Sequence, residues 1–128
     1  LASWGTHDLP TWAGWRAGRD IDWRARLGEV PDEPAARTDR AAEVAAFDSL
    51  TGAGDMNAMH RHLAASASVL VAVQAEDLAG AVEQCNLPGT VHEHPNWSRR
   101  LPVPLDGLIA AATLRDTSTI MALSARQG

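Results

Sequence analysis

Two adjacent polar residues near the beginning of the chain could do chemistry. In the stretch SWGTHDLPTWAGW, His7 and Asp8 follow a short run of small residues and are followed by Pro10. Together with Ser3 they include the residue types of a hydrolase triad, but neighbours in a loop cannot orient one another as a triad requires, and no G-x-S-x-G turn is present. The pattern indicates a loop that presents both side chains. The structural alternative is that Asp8 caps the helix that begins near Pro10.

The other histidines do not predict a metal site. His60 and His62 lie two residues apart in a helical pattern and therefore diverge, while His92 and His94 could face the same way on an extended loop, with Glu93 opposite. Zinc needs three or four converging ligands, and neither pair supplies them. We expect His60 to be a packed or rim histidine, and we expect no metal and no other cofactor.

Cys85 and the arginines near it are expected to be structural. Cys85 stands in a polar loop without a histidine at a spacing that indicates activation, so we expect a small, half-buried side chain. Arg99 and Arg100 follow Trp97 after the same loop. Arg100 is the better functional candidate of the two, although a solvated arginine or a carboxylate partner is the commoner role.

Composition limits the classes of function. The 128 residues carry a net charge of −5, with eleven basic residues, all arginine, against sixteen acidic ones, so the basic surface of a nucleic-acid binder is absent. The single cysteine excludes an internal disulfide, and no apolar run approaches the roughly 18 residues of a membrane span. We expect a soluble, cytoplasmic protein with no nucleic-acid and no membrane partner. Because Leu1 opens the chain and no signal peptide is visible, we also expect a fragment whose upstream part is missing.

Helical patterns dominate the first half of the chain. A short helix, whose tryptophans are expected to pack, ends at Gly18, and a second runs from Asp20 to Gly28. The alanine-rich residues 32–50 predict a longer helix. A fourth helix places these residues on one face: Met56, Met59, His60 and Leu63.

A buried strand and a polar loop follow. Residues 69–73 are continuously apolar and mostly β-branched, which predicts a strand covered on both faces, and such a strand needs parallel neighbours. Glu76 and Asp77 come where it ends, and a loop with glycine and proline follows, as on the functional face of a parallel barrel. One or two closing helices are expected to turn these residues inward: Leu105, Leu108, Ile109 and Ala112.

This order of elements predicts the fold class. Two parallel strands cannot make a sheet that buries itself, so the strands must belong to a larger sheet. The sequence therefore predicts an α/β fold, the C-terminal portion of a (β/α)8 TIM-type barrel. The chain itself would be mostly helical, with one or two short parallel strands.

Two separated motifs carry a resemblance that spans almost the whole chain. GTHDLPTWAGW, followed by AEDLAGAVEQCNLPGTVHEHPNWSRRL, resembles the C-terminal part of the 4-alpha-glucanotransferases, also called amylomaltases or disproportionating enzymes, of glycoside hydrolase family 77. The resemblance implies that residues 1–128 form the last strands, the sugar-binding loop and the closing helices of a catalytic barrel. It implies transfer of α-1,4-glucan segments from a maltooligosaccharide donor to glucose or a maltooligosaccharide acceptor, by a retaining double displacement.

The family uses three carboxylates, and the resemblance assigns one of them here. Asp8 matches the aspartate of the T-H-D motif, and a fixed anion at that place favours the positive charge of an oxocarbenium-like state. Asp8 would thus be the transition-state stabiliser, and His7 would bond a neighbouring sugar hydroxyl. The nucleophile and the acid/base would lie upstream of Leu1, so this chain alone is predicted to be inactive without the missing N-terminal part of the enzyme.

The second motif implies further substrate contacts. The family's N-x-P-G and N-W loop resembles a wall of the sugar-binding cleft, and the matching residues are Asn86, Pro88, Gly89, Asn96 and Trp97. Asn86 would bond sugar hydroxyls, and Gly89 would allow close backbone approach, but a purely structural loop is an equal alternative. Ser98 departs from the family pattern, which has another basic residue there.

Two other functions stay open at this point. One is a different α-glucan-active member of the α-amylase clan, such as a debranching or trehalose-forming enzyme, against which the N-x-P-G loop argues. The other is a non-catalytic module that binds glucan or a partner helix. Of the three functions, we prefer the prediction that this chain is part of a 4-alpha-glucanotransferase.

Overall fold

The computed structural model describes residues 1–124, and this part of the chain is mostly helical. Its helices are α1 (Trp12–Ala17), α2 (Arg19–Arg26), α3 (Glu33–Thr51), α4 (Met56–Ala64), α5 (Ala75–Leu78), α6 (Leu105–Ala110) and α7 (Ala112–Ser124). The four helices predicted in the first half and the closing helices are confirmed. A single parallel bridge between Ala2 and Val71 is the only β-pairing in the described residues.

Local capping explains where the helices begin and end. The side chains of Asp32 and Asp55 accept the first free backbone N–H groups of α3 and α4. Gly18, with φ of 68°, ends α1 in the left-handed conformation that glycine adopts without strain, and Gly52 ends α3 in the same way. Gly18 is the residue at which the sequence predicts the end of α1, whereas α2 begins at Arg19, one residue before the predicted Asp20.

The strand predicted over residues 69–73 is present only as one parallel bridge, and it is not covered within residues 1–124. Residues 69–73 pair only with Ala2, which donates to the Leu70 carbonyl at 2.8 Å and accepts from the Ala72 amide at 2.9 Å. Val69 is 97% exposed and Leu70 is 65% exposed. A parallel strand is covered only when neighbours and helices lie around it, and residues 1–124 supply one bridge.

The inward face predicted for the closing helices is also largely wrong. Leu108 is buried, but Leu105, Ile109 and Ala112 are exposed. The physical reason is that α6 ends after six residues at Ala111, whose backbone is extended, so its apolar residues cannot continue as one stripe into α7.

His60 is a packed histidine, as predicted. It is 1% exposed between α4 and α7, and its Nδ1 lies 2.9 Å from the hydroxyl of Thr117. Burial lowers the pKa of His60, so the ring is neutral where it pairs these helices.

Tryptophans form the aromatic core, as expected. The Trp4 ring meets the rings of Trp12, Trp15 and Phe47 edge-on, at centroid distances of 4.7, 5.0 and 5.4 Å. Edge-to-face contacts at these distances are favourable beyond the area they bury. The cluster brings the first residues of the chain, α1 and α3 together.

A junction of hydrogen bonds connects the start of α1 to a distant segment. We call residues 11–14 and 77–82 the α1 junction. The Trp12 amide donates to the buried carboxylate of Asp77 at 2.7 Å, and the Thr11 hydroxyl donates to the Ala81 carbonyl at 2.6 Å. Because α1 directly follows the His7–Asp8 loop, and residues 77–82 lead directly into the N-x-P-G loop, this junction places the two loops beside each other.

We predict that adding a methyl group at Gly14 disrupts the α1 junction. A Cβ on Gly14 would collide with the carbonyl oxygen of Val82, so Gly14→Ala should lower the free energy of unfolding by about 2 kcal/mol despite the better helix propensity of alanine. Gly107→Ala in α6 is the matched control, since its Cβ would meet the nearest atoms at an ordinary 3.6 Å. Urea unfolding followed by circular dichroism measures both, and equal effects would contradict a close contact at Gly14.

We predict a pH-dependent difference between the wild type and Asp77→Asn. Burial raises the pKa of Asp77, the Trp12 N–H opposes that rise, and the charge of Glu76 adds to it, for a net increase above 3.8. The folded chain then binds this proton more tightly than the unfolded chain, so the group's contribution to stability is present at low pH and is lost as pH rises through the raised pKa.

The Asp77→Asn variant keeps an oxygen for the Trp12 amide, but its side chain cannot ionise. The unfolding free energy of the variant minus that of the wild type should therefore increase as pH rises from about 4 towards neutrality, since other carboxylates titrate alike in both proteins. Urea titrations across this range measure the difference. A difference that stays flat or decreases would show that burial does not raise the pKa of Asp77.

Candidate functional site

A tight turn presents the His7 and Asp8 side chains. The Leu9 amide donates to the Thr6 carbonyl at 3.0 Å, and the Asp8 amide lies 3.3 Å from the Thr6 hydroxyl. His7 and Asp8 occupy the two central positions, where their side chains are 57% and 47% exposed. The predicted presenting loop is therefore present as a turn.

Asp8 does not cap the following helix. The first free amides of α1 are bound by other groups: Gly14 N–H donates to the Thr11 hydroxyl at 3.0 Å, and Trp12 N–H donates to Asp77. The capping alternative for Asp8 is wrong, because Thr11 and Asp77 fill that role. The fold leaves the Asp8 carboxylate for other contacts.

The Asp8 carboxylate is held through one of its two oxygens. Asn86 Nδ2 donates to Asp8 Oδ1 at 2.7 Å, and His7 Nε2 lies 3.4 Å from the same oxygen. The Asn86 amide also donates to the His7 carbonyl at 3.1 Å. Within residues 1–124, no protein donor bonds the second oxygen, Oδ2.

Trp97 completes the group with an exposed ring. The His7 and Trp97 ring centroids are 5.0 Å apart, and Trp97 is 63% exposed. Its φ is 57°, and it is the one non-glycine residue with positive φ in the described chain. A bulky residue in this conformation is strained and must be held there, here in part by its amide, which donates to the Cys85 carbonyl at 3.1 Å.

The Asn96 side chain is saturated by contacts within its own loop. Its Oδ1 accepts from the Leu87 amide at 2.9 Å and from His94 Nδ1 at 2.8 Å, and its Nδ2 donates to both the carbonyl and the hydroxyl of Thr90 at 3.1 and 2.9 Å. A primary amide has two N–H donors and one oxygen with two lone pairs, and all are used. Sugar binding by Asn96 remains a prediction, whereas its observed contacts hold the loop.

Pro88 and Gly89 form the bend of the same loop. Leu87 is 1% exposed, and its carbonyl accepts from the Thr90 amide at 3.2 Å, which closes a four-residue turn. Proline followed by glycine with φ of 87° suits a type II turn, whose third position needs positive φ. Pro88 and Gly89 are exposed, and no hydrogen bond within residues 1–124 joins them to Asp8, so their sugar contacts remain a prediction.

A small cleft opens beside His7. Its volume is about 200 Å³, and it is lined by Thr6, His7, Leu9, Thr11, Gln74, Glu76 and Cys85. A larger hollow of about 420 Å³ shares Glu76 and Cys85 and extends to Arg99 and Arg100. Gln74 was not singled out by the sequence analysis. The only signal for Glu76 was its position at the end of an apolar run.

Cys85 is half-buried, as predicted. Burial raises the pKa of its thiol, and the charge of Glu76 adds to the rise, so the thiol is protonated at neutral pH. A protonated thiol is a weak nucleophile. Cys85 contributes to the wall of the cleft through its side chain and to the loop through its carbonyl.

His92 and His94 do not face the same way, and that prediction is wrong. His92 is exposed, whereas His94 is 1% exposed, with its ring 4.8 Å from that of Trp23. The bond between His94 Nδ1 and Asn96 Oδ1 holds the His94 ring on the buried side of the loop. In residues 1–124, no three His, Cys, Asp or Glu side chains form a group that could hold a metal ion. No helix in this part of the chain has the length and apolar character needed to cross a membrane.

The chain is similar to known proteins over the region that carries both loops. The family model described as 4-alpha-glucanotransferase, glycoside hydrolase family 77, matches residues 1–106. A 4-alpha-glucanotransferase from Mycobacterium tuberculosis is 36% identical over 121 residues, covering 84% of this chain and 16% of that protein. One from Haemophilus influenzae is 30% identical over 135 residues, covering 89% of this chain and 19% of that protein.

A solved structure shows the same fold. The crystal structure of amylomaltase from Corynebacterium glutamicum matches with a TM-score of 0.71 at 20% identity, covering 93% of this chain and 21% of that chain. The chain therefore spans about a fifth or less of the length of the relatives it matches. The family model includes both the His7–Asp8 turn and the loop that carries Asn86 and Asn96, and the chain belongs to the 4-alpha-glucanotransferases of glycoside hydrolase family 77.

Proposed function

We propose that the chain is the C-terminal segment of the catalytic (β/α)8 barrel of a 4-alpha-glucanotransferase. The fold likeness to amylomaltase supports this placement. The exposed apolar residues Val69 and Leu70, next to the parallel bridge to Ala2, support it as well, because further parallel strands would cover them. The enzyme would be soluble and cytoplasmic.

The observation that carries the proposal is the state of the Asp8 carboxylate. It is exposed, it is not used to cap α1, and it is held at Oδ1 while Oδ2 has no partner in the described residues. A fixed anion of this kind stabilises positive charge that develops on a sugar ring without having to reorganise during the reaction. Asp8 is therefore proposed as the transition-state stabiliser.

The surrounding residues suit a sugar substrate. His7 lies beside Asp8 and lines the cleft, so its ring can bond a neighbouring hydroxyl. The exposed Trp97 ring gives an apolar surface on which the C–H face of a sugar can pack. We propose maltooligosaccharides as donors and glucose or maltooligosaccharides as acceptors.

The proposed reaction is a retaining double displacement. In the first step a carboxylate nucleophile bonds the anomeric carbon, the glycosidic C–O bond breaks, and a general acid protonates the departing oxygen. In the second step the 4-hydroxyl of the acceptor attacks the anomeric carbon, the bond from that carbon to the nucleophile breaks, and the hydroxyl proton passes to the group that acted as general acid in the first step. Of the nucleophile, the acid/base and the transition-state stabiliser, this chain would supply only the stabiliser, Asp8, and the other two would come from the remainder of the enzyme.

We predict that the purified 128-residue chain does not disproportionate maltotriose, because it lacks the nucleophile and the acid/base. The assay measures glucose and maltopentaose by chromatography, with the full-length enzyme as the positive control. Both products accumulating above a blank with the chain alone would contradict the prediction. Tight binding of maltooligosaccharide by a full-length protein that shows no transfer would favour a glucan-binding module instead.

We predict that Asp8→Asn in the full-length enzyme lowers kcat by on the order of 10²-fold, with little change in KM. The amide keeps the size of the carboxylate and most of its hydrogen-bonding capacity but removes the charge that the transition state needs. His7→Ala removes a sugar contact and no charge, so it should cost less in kcat and raise KM more. Steady-state transfer from maltotriose measures both variants.

Asp116→Asn is the matched control for the loss of charge. Asp116 also accepts from an asparagine, Asn57, at 3.4 Å, but it lies on α7 away from the His7–Asp8 turn. Its variant should keep the wild-type kcat. A folded Asp8→Asn enzyme that retains a tenth or more of the wild-type turnover would show that Asp8 is not the transition-state stabiliser.

A further inference from the structure

The Asn86 side chain faces Asp8 with its donor end. A carboxylate only accepts hydrogen bonds, so the group 2.7 Å from Asp8 Oδ1 is the Asn86 NH2. One of the two Nδ2 hydrogens is thereby committed to Asp8. The sequence motif alone implied a different role, in which the Asn86 amide bonds sugar hydroxyls.

The Asn86 backbone is fixed against the same turn and against the protein interior. Its N–H donates to the His7 carbonyl at 3.1 Å, so Asn86 is attached to the His7–Asp8 dipeptide twice, by backbone and by side chain. Its carbonyl accepts from Gln84 Nε2 at 2.6 Å, and Gln84 is 4% exposed. The next residue, Leu87, is 1% exposed. A partly exposed side chain is thus carried by a backbone that is anchored on both sides.

One hydrogen bond on Oδ1, from Asn86 Nδ2, leaves the other oxygen of Asp8 oriented. A partial rotation of the Asp8 carboxylate would move Oδ1 away from Asn86 Nδ2 and break the 2.7 Å bond. A half-turn would restore the bond with the two equivalent oxygens exchanged. The His7 contact at 3.4 Å is longer and comes from an exposed neighbour in the same turn. The short bond from Asn86 is the one that fixes the plane of the carboxylate.

We propose that Asn86 is a positioning residue, whose side-chain NH2 holds Asp8 Oδ1 so that Oδ2 faces the reacting sugar. This rests on the proposed role of Asp8. Electrostatic stabilisation depends on a charge that is already in place when the transition state forms, so an unfixed Asp8 would stabilise it less. Asn86 acts through Asp8, and its loss should therefore reduce kcat more than it raises KM.

The test compares two Asn86 variants in the full-length enzyme. Asn86→Leu has a similar size and no donor, and it should lower kcat about tenfold or more, the expected range for losing a hydrogen bond to a charged group, with KM within about twofold. Asn86→Asp should lower kcat further, because a second carboxylate cannot donate and repels Asp8. A sugar-binding asparagine behaves differently, since aspartate still accepts from sugar hydroxyls. An Asn86→Asp enzyme more active than Asn86→Leu would overturn the proposal.

A double-mutant cycle tests whether the effect passes through Asp8. In the Asp8→Asn background, Asn86→Leu should cost less than about twofold, because the group it positions no longer carries the charge. Losses that multiply independently, with a raised KM, would overturn the proposal and indicate direct sugar binding. Asn57→Leu is the control, since it removes the same type of Asn–Asp contact, to Asp116, and should leave kcat unchanged.

Crystal structures of the wild-type and Asn86→Leu enzymes give a readout that does not depend on activity. The proposal expects the Asp8 carboxylate to rotate or to occupy two orientations in the variant. An unchanged, single orientation would overturn it. If the wild-type enzyme transfers no glucan, the proposed function fails, while this comparison still decides whether Asn86 positions Asp8. A lowered melting temperature with an unchanged Asp8 would assign Asn86 a purely structural role.

Discussion

The hydrogen bond from the Trp12 amide to the buried carboxylate of Asp77 is the contact on which the arrangement of the site depends. It joins residues 65 positions apart, and the Thr11 hydroxyl reinforces it by donating to the Ala81 carbonyl. Closing so long a loop costs conformational entropy, which grows only slowly with length, so a few good contacts suffice. A carboxylate that is 4% exposed would be costly without a donor, and the first amide of a helix is a donor without an intrahelical partner. Each group satisfies the other, and the two site loops are brought together as a result.

Polar contacts also hold α3 against α1 and α2. The Arg40 guanidinium makes two 2.8 Å bonds to the Asp20 carboxylate and donates to the Trp15 carbonyl at 2.6 Å. Its side chain is 14% exposed and that of Asp20 is 16% exposed, so this pair is shielded from solvent, and removing one partner would leave the other poorly solvated. Arg37 bonds Asp22 at 2.6 Å but is 44% exposed, and pairs of that kind contribute little. We therefore expect the shielded contacts of Arg40, which connect α3 to α1 and α2, to contribute more to stability than the exposed contact between Arg37 and Asp22.

The features that the sequence predicts well are those set by neighbouring residues. Gly18 ends α1 because only the local backbone conformation matters there, and the alanine-rich residues 32–50 form the predicted long helix, α3. The inward face predicted for Ile109 is wrong, and Val69 is not covered within residues 1–124, because burial depends on distant partners that periodicity does not reveal. The same limit applies to the site. The T-H-D motif indicates Asp8, but the motif does not show that Asp77 caps α1, which leaves Asp8 free, or that Asn86 donates to Asp8.

Two asparagines of one loop illustrate how identical side chains take different roles. Asn96 uses every donor and acceptor of its amide inside the loop, between Leu87, Thr90 and His94. Such a saturated network fixes the loop and helps to hold Trp97 in a backbone conformation that a non-glycine residue adopts only under constraint. Asn86 lies at the edge of that network and directs its amide outward to Asp8. The role proposed for Asp8 needs a carboxylate that is held in place before the transition state forms, and the interior contacts of Asn96 hold the loop from which Asn86 donates to Asp8.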